Sequence, residues 1–232
     1  MIYGKDGGLI AYRTTLNKDT FTNLNEAIRV LPTRPNNKFR GIYRGQYSIR
    51  HYCTWSPYSK TPFISEDLKK DGPAGLEFLK ANQCLWNELS DILGGIAPSV
   101  YKSFLRYPLP KDTPRFCTAW AGCVVNLGDQ DPVQTRPHKD RKESKYGLSC
   151  IVPVGDYTGG ALICYELGLI IDLEPGSCFF FPDAIITHSN EDVVGERSSI
   201  VAFTQENLFH YWRRKYGYFN NKDENVYRGG ND

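Results

Sequence analysis

The chain of 232 residues carries 28 Lys and Arg against 26 Asp and Glu, a formal net charge of +2, which excludes a strongly cationic protein that grips nucleic acid or a membrane by bulk charge. Its 41% hydrophobic and 23% charged residues exclude intrinsic disorder and fit a globular chain with one large core or two small ones. The seven cysteines form no C-x-x-C pair and several sit in apolar runs. Reduced, buried thiols in an intracellular protein are therefore expected, not a disulfide frame or zinc site. No apolar leader and no bilayer-length apolar run points to secretion or to a membrane.

From the N-terminus to Pro108-Leu109-Pro110, helical periodicity dominates. A weak helix is predicted over 24–30. From Ala27 to Ser65 the chain has no acidic residue, while Arg29, Arg34, Lys38, Arg40, Arg44, Arg50 and Lys60 are basic. Aromatic residues are interleaved, among them Tyr43, Tyr47, Tyr52, Trp55 and Tyr58. Cations for phosphates and rings for stacking suit a nucleic-acid surface, which makes Arg44, Arg50, His51 and Tyr52 candidate substrate contacts. The same stretch also reads as core aromatics with a solubilising rim. Next, Gly72-Pro73 opens a stripe of Leu76, Leu79, Trp86, Leu89 and Leu93 that stops at Gly94-Gly95, predicting one helix; another is predicted over 98–104.

After Arg115 the pattern changes to short strands, predicted near 117–127, 147–154, 161–165, 169–173, 177–181 and 198–204. Turns are predicted at Gly155-Asp156, Gly159-Gly160 and Pro175-Gly176. Short antiparallel strands at this spacing predict a sandwich or jelly roll with the earlier helices packed on one sheet, an α+β fold that is mainly β. A helix is predicted over 206–216, and the last residues, Arg228 to Asp232, are expected to fray. The basic clusters Lys139-Arg141-Lys142-Lys145 and Arg213-Arg214-Lys215 are candidates for the border of the same mouth.

The four histidines carry the sharpest signal. His138-Lys139-Asp140 is an H-x-D step, and on a strand residues i and i+2 share a face, so imidazole and carboxylate converge. His188 offers a third ligand. Two imidazoles and one carboxylate leave open positions on Fe(II), as non-haem oxygenases require. An H-x-D alone arises often by chance, but the residues downstream of His188 add weight. Arg197 opens the strand that continues through Ser199, and this pair suits the far carboxylate of 2-oxoglutarate, whose keto-acid end would chelate iron. Asn126 either bonds that co-substrate from across the barrel or satisfies backbone. His210 reads as surface or structure. Open alternatives are a dioxygenase acting on a protein or small molecule, and a non-catalytic jelly-roll binding module.

These residues also resemble a known family. Val124-Val125-Asn126-Leu127-Gly128, His138-Lys139-Asp140, Gly155-Asp156-Tyr157-Thr158-Gly159-Gly160, Tyr165-Glu166-Leu167-Gly168, Thr187-His188 and Gly195-Glu196-Arg197-Ser198-Ser199 look similar to the TET/JBP family of nucleic-acid dioxygenases. The likeness is nearest to the expanded set of mushroom-forming fungi, and the C-terminal half carries the specific motifs. The resemblance implies a double-stranded β-helix using Fe(II), 2-oxoglutarate and O₂ to oxidise 5-methylcytosine in DNA to hydroxymethyl and further products. His138, Asp140 and His188 fall on the iron positions and Arg197 on the 2-oxoglutarate arginine. Glu143 stands where the family has an Asn or Asp that touches the flipped base. A carboxylate there accepts from cytosine N4 or adenine N6, so N6-methyladenine in DNA or RNA stays open; a solvated charge is the plain alternative. The expected organisation is one dioxygenase domain over 1–232. Its parts are a mixed helical region over 1–107 that contributes to substrate binding, a jelly-roll core over 108–216 and a tail over 217–232. Duplex DNA with a flipped base is the expected partner, with no obligate protein partner, and that substrate implies a nuclear address.

Overall fold

The computed structural model describes residues 1–32, 47–129 and 131–216, with Tyr216 described by its backbone alone. Arg34, Lys38, Arg40, Tyr43 and Arg44 of the acid-free stretch, and the tail beyond Tyr216, lie outside the described residues.

Two antiparallel sheets form the body. The major sheet runs in the order β1-β2-β9-β6-β11-β5-β3-β4, with β1 Ile2–Tyr3, β2 Leu9–Thr15, β3 Ser48–Trp55, β4 Phe63–Ile64, β5 Gly122–Leu127, β6 Ser149–Gly159, β9 Ser177–Phe181 and β11 Val193–Phe203. The minor sheet runs β10-β7-β8, with β7 Leu162–Cys164, β8 Leu169–Ile171 and β10 His188–Asn190. Successive strand residues point to opposite faces, and the major sheet is buried on both. Phe180, Cys150, Val152, Ile200 and Ala202 pack into a large core with the helices, whereas Phe179, Phe181 and Ile151 pack with Leu162 and Cys164 of the minor sheet. The run Phe179-Phe180-Phe181 is therefore apolar without alternation because both its faces are covered. This is the expected jelly roll with helices on one sheet.

The helical layer comprises α1 Lys18–Arg29, α2 Glu66–Asp71, α3 Pro73–Ala81, α4 Gln83–Ile96 and α5 Pro98–Arg106, with α6 Glu206–Tyr216 following β11. The single helix predicted from Pro73 to Gly95 is broken at Asn82, whose side-chain amide donates to Phe78 O at 2.8 Å, so the side chain competes for a helical carbonyl. Trp86 Nε1 donates to Leu79 O at 2.9 Å across the break. Among the described residues, no helix is long and apolar enough to cross a membrane. All seven cysteines are free thiols, and all but Cys84 are buried.

Three strand expectations are corrected. The predicted strand over 117–127 starts only at Gly122, because 117–120 form a turn with Thr118 at φ 52. A Cβ on Gly122 would lie 2.2 Å from Cys53 Cβ, so glycine is what lets β5 lie against β3. The turn predicted at Gly155-Asp156 is instead the interior of β6: Gly155, at φ +116, keeps pairing with Arg197. Last, β11 begins at Val193, so Arg197 sits within a strand and does not open one. The part before Pro108 is mostly helical, as expected, and also supplies β1, β2, β3 and β4 to the major sheet.

On β3, Arg50 and Tyr52 turn away from the minor sheet. Arg50 is fully buried, with Nη1 3.4 Å from Asp71 Oδ2, and donates to Pro32 O. Tyr52 donates to Asp71 Oδ2 at 2.5 Å, and burial pushes its phenol well above the usual range. Arg50 and Tyr52 are thus not substrate contacts: they anchor α2 to the back of the sheet. Removing one partner of a buried pair strands the other charge. Asp71→Ala is expected to cost about 3–5 kcal/mol of stability, read as a lowered midpoint in urea denaturation.

Candidate metal centre

The face of the major sheet opposite the helices forms one wall of a cavity of about 420 Å³, within the size range of ligand pockets. Alternation selects the lining. Ile49 and His51 of β3, Val124 and Asn126 of β5, and Arg197, Ser199, Val201 and Phe203 of β11 face it, together with His138, Asp140 and His188.

The H-x-D step is not on a regular strand. Residues 133–138 run beside β10 and β11 through separate backbone bonds. His138 N donates to His188 O at 3.0 Å, His188 N returns a bond to His138 O at 2.9 Å, and Val133 N reaches Arg197 O at 2.8 Å. This bridge brings the first imidazole to the second. Asp140 N is held by Asp183 O at 3.0 Å. Asp140 Oδ2 then lies 3.9 Å from His138 Nε2 and 3.8 Å from His188 Nε2, and the three ligand atoms lie within 4.8 Å of one another. Each Nδ1 meets a carbonyl two residues earlier, His138 that of Arg136 at 2.7 Å and His188 that of Ile186 at 3.0 Å. A neutral imidazole that donates through Nδ1 carries its lone pair on Nε2. Both lone pairs are then directed towards the carboxylate, and the donor set fits a divalent ion with room for further ligands.

Deeper in the cavity Arg197 is 1% exposed. Its Nη1 donates to Val133 O, but among the described residues Nε and Nη2 have no hydrogen-bond partner. Burial lowers its pKa, opposed by Tyr157, whose ring centroid lies 5.4 Å from the guanidinium carbon. A buried cation with two unused donors is costly until an anion meets it. Ser199 lies two residues on, on the same face, and Asn126 Nδ2 donates to Ser199 Oγ at 3.1 Å across the paired strands. Asn126 therefore reaches the cavity tied to Ser199.

Nearer the mouth, His51 is held by Asp67, its backbone N at 3.0 Å and its Nδ1 at 3.3 Å from Oδ2, and its ring meets Trp55 edge-on with centroids 4.3 Å apart. Glu143 lines the cavity and bridges to Gln205. Lys139 points away from the ligands to Glu166, 2.7 Å off; Lys139 first and then Thr187 pull that carboxyl down to about 2. His210 pairs with Glu206 on the surface at 3.9 Å. Sequence reasoning missed Gln205, Thr135 and Asn190. Thr135 N and Oγ1 both donate to Asn190 Oδ1, at 3.2 and 2.9 Å. The strand rule of i, i+2 places Asn190 on the face of His188 in β10.

No protein-family model matches the chain, and no curated protein does. Solved structures match its shape. NgTET1 in complex with 5mC DNA superposes with a TM-score of 0.69 at 15% identity, over 88% of this chain and 75% of that one. An oxidoreductase of the 2OG-Fe(II) oxygenase family from Burkholderia pseudomallei superposes with a TM-score of 0.54 at 15% identity, over 83% and 84%. At such identity the likeness is one of fold: the chain has the jelly roll seen in those structures.

The two donors of Arg197 that lack a partner among the described residues give a direct test of the expected 2-oxoglutarate site. Excess 2-oxoglutarate is expected to raise the melting temperature of the wild-type protein by several degrees, since saturation a hundredfold above Kd stabilises by about 2.7 kcal/mol. Arg197→Met is expected to lose that shift while its ligand-free form melts no lower. Differential scanning fluorimetry reads both.

Proposed function

We propose that this chain is an Fe(II)- and 2-oxoglutarate-dependent dioxygenase that hydroxylates the methyl group of 5-methylcytosine in DNA. The observation that carries the reading is one cavity holding both the His138–Asp140–His188 set and the buried guanidinium of Arg197, two of whose donors have no partner among the described residues. His138, Asp140 and His188 would hold the iron, and Arg197 with Ser199 the far carboxylate of the co-substrate. When bound, iron and 2-oxoglutarate supply the oxidation: O₂ is consumed, one oxygen enters succinate as CO₂ leaves, and the other enters the methyl C–H bond. The chain's own residues bind and orient. Val124, Val201 and Phe203 make the wall apolar, and Glu143, which lines the same cavity, would accept from an exocyclic amino group.

The nucleic-acid part rests on the rim of the cavity. Three segments remote in sequence meet there. Ser56 N donates to Gln205 Oε1 at 2.7 Å, Asn207 Nδ2 to Pro57 O at 3.2 Å, Arg214 to Lys60 O at 3.1 Å and Glu206 N to Lys142 O at 3.0 Å. The result is a rim carrying exposed Lys60, Arg141, Lys142, Lys145 and Arg214. Tyr58, 84% exposed, has Lys142 Nζ 3.3 Å over its ring. Cations beside an exposed ring, next to a cavity deep enough for a base, suit a strand with one nucleotide turned out. The fold shared with NgTET1, solved with 5mC DNA, agrees with this reading.

Incubation with Fe(II), 2-oxoglutarate and methylated duplex DNA, with mass spectrometry of the released nucleosides, tests it. We expect 5-hydroxymethylcytosine in step with succinate. Succinate without any modified base would remove nucleic acid as the substrate, and loss of methyl from N6-methyladenine would reassign the base. Separately, Lys60→Ala with Lys142→Ala is expected to lower the salt slope of DNA binding by about 2, one for each lost phosphate contact, measured by fluorescence anisotropy.

A further inference from the structure

The ligand-bearing segments are also held through the residues beside the ligands. Lys139, between His138 and Asp140, and Thr187, next to His188, both reach the carboxylate of Glu166. Glu166 Oε1 accepts from Lys139 Nζ at 2.7 Å and from Thr187 Oγ1 at 2.7 Å, while Oε2 accepts from Thr187 N at 2.5 Å. Glu166 lies in the 3₁₀ turn over Tyr165–Leu167, directly after β7, whose Cys164 pairs with His188. Tyr165 N adds a bond to Thr187 O at 2.9 Å.

An exposed ion pair alone adds little. This carboxylate is different in what it joins: one arm restrains the residue flanked by two ligands, the other the residue beside the third. His138 and Asp140 sit on an isolated bridge and a loop, not within a continuous ladder, so their position against His188 of β10 depends on such restraints.

We propose that Glu166 is a positioning residue for the metal centre, a clamp that fixes the His138–Asp140 segment against His188 without touching the ion. The clamp rests on the reading of His138, Asp140 and His188 as metal ligands. Groups outside the ligand set that orient ligands commonly change metal affinity by 10–100-fold when removed.

The test uses Co(II) as a spectroscopic probe, with affinity read from its visible ligand-field bands and folding from thermal melting of the metal-free protein. Glu166→Ala is expected to weaken Co(II) binding by about 10-fold and to alter the band shape, with the metal-free melting temperature unchanged. Glu166→Gln, which keeps an acceptor for Thr187, and Lys139→Met, which removes only one arm, are expected to fall between Glu166→Ala and wild type. Equal affinity and identical bands in wild type and all three variants would overturn the clamp. A loss that merely tracks a lowered metal-free melting temperature would overturn it too. A wild-type protein that binds no Co(II) would overturn the metal centre itself, and with it the clamp.

Discussion

The reciprocal backbone bonds between His138 and His188 are the joint on which the site depends. They attach an otherwise irregular segment to the edge of the minor sheet, at the one place where both residues carry an imidazole. With this joint made, the two Nδ1–carbonyl bonds set ring orientation, and the Asp140–Asp183 backbone bond brings the carboxylate to the same point. None of these bonds is strong alone, since each replaces one with water. Their effect comes from acting on neighbouring residues, so each ligand is restrained in position and in rotation.

Two buried guanidinium groups on opposite faces of the major sheet show how environment separates structure from function. Arg50 is surrounded by Asp71, Tyr52 and the Pro32 carbonyl, groups that compensate its charge. Arg197 has one carbonyl, the face of Tyr157 and, among the described residues, two donors without a partner. The first charge meets a carboxylate within the fold; the second meets none among the described residues. Both residues are buried arginines in apolar strands, and the sequence does not distinguish them. Their partners do.

Locality decides how much of the molecule is legible in the sequence. The jelly roll is readable because Ser177–Phe181 and the strands around it are short, apolar and punctuated by glycine and proline. The ligand set is readable because H-x-D is a local spacing and only three other histidines compete for the third place. The strand Ser48–Trp55 is hidden by Arg50, a charge where a core residue is usual, whose partner Asp71 sits on a later helix. For the same reason Arg50 and Tyr52 read as substrate contacts although parity on the strand turns them to the back, while His51 between them faces the cavity. The rim is only half legible: Lys60, Lys142 and Arg214 stand in three separate segments, and only the folded chain makes them neighbours. Glu166 belongs to a recognisable stretch of sequence, yet nothing local links it to Lys139 or Thr187.

The isolated bridge has a consequence for how the chain breathes. An ion shared by His138, Asp140 and His188 would join two segments far apart in sequence, in the manner of a removable cross-link. Its binding energy would then be spent partly on keeping the sheet edge shut, so occupancy and local closure form one coupled equilibrium. A chain without such an ion would open first at this edge and not in the helix-backed core, so supply of the ion would set its lifetime against proteases.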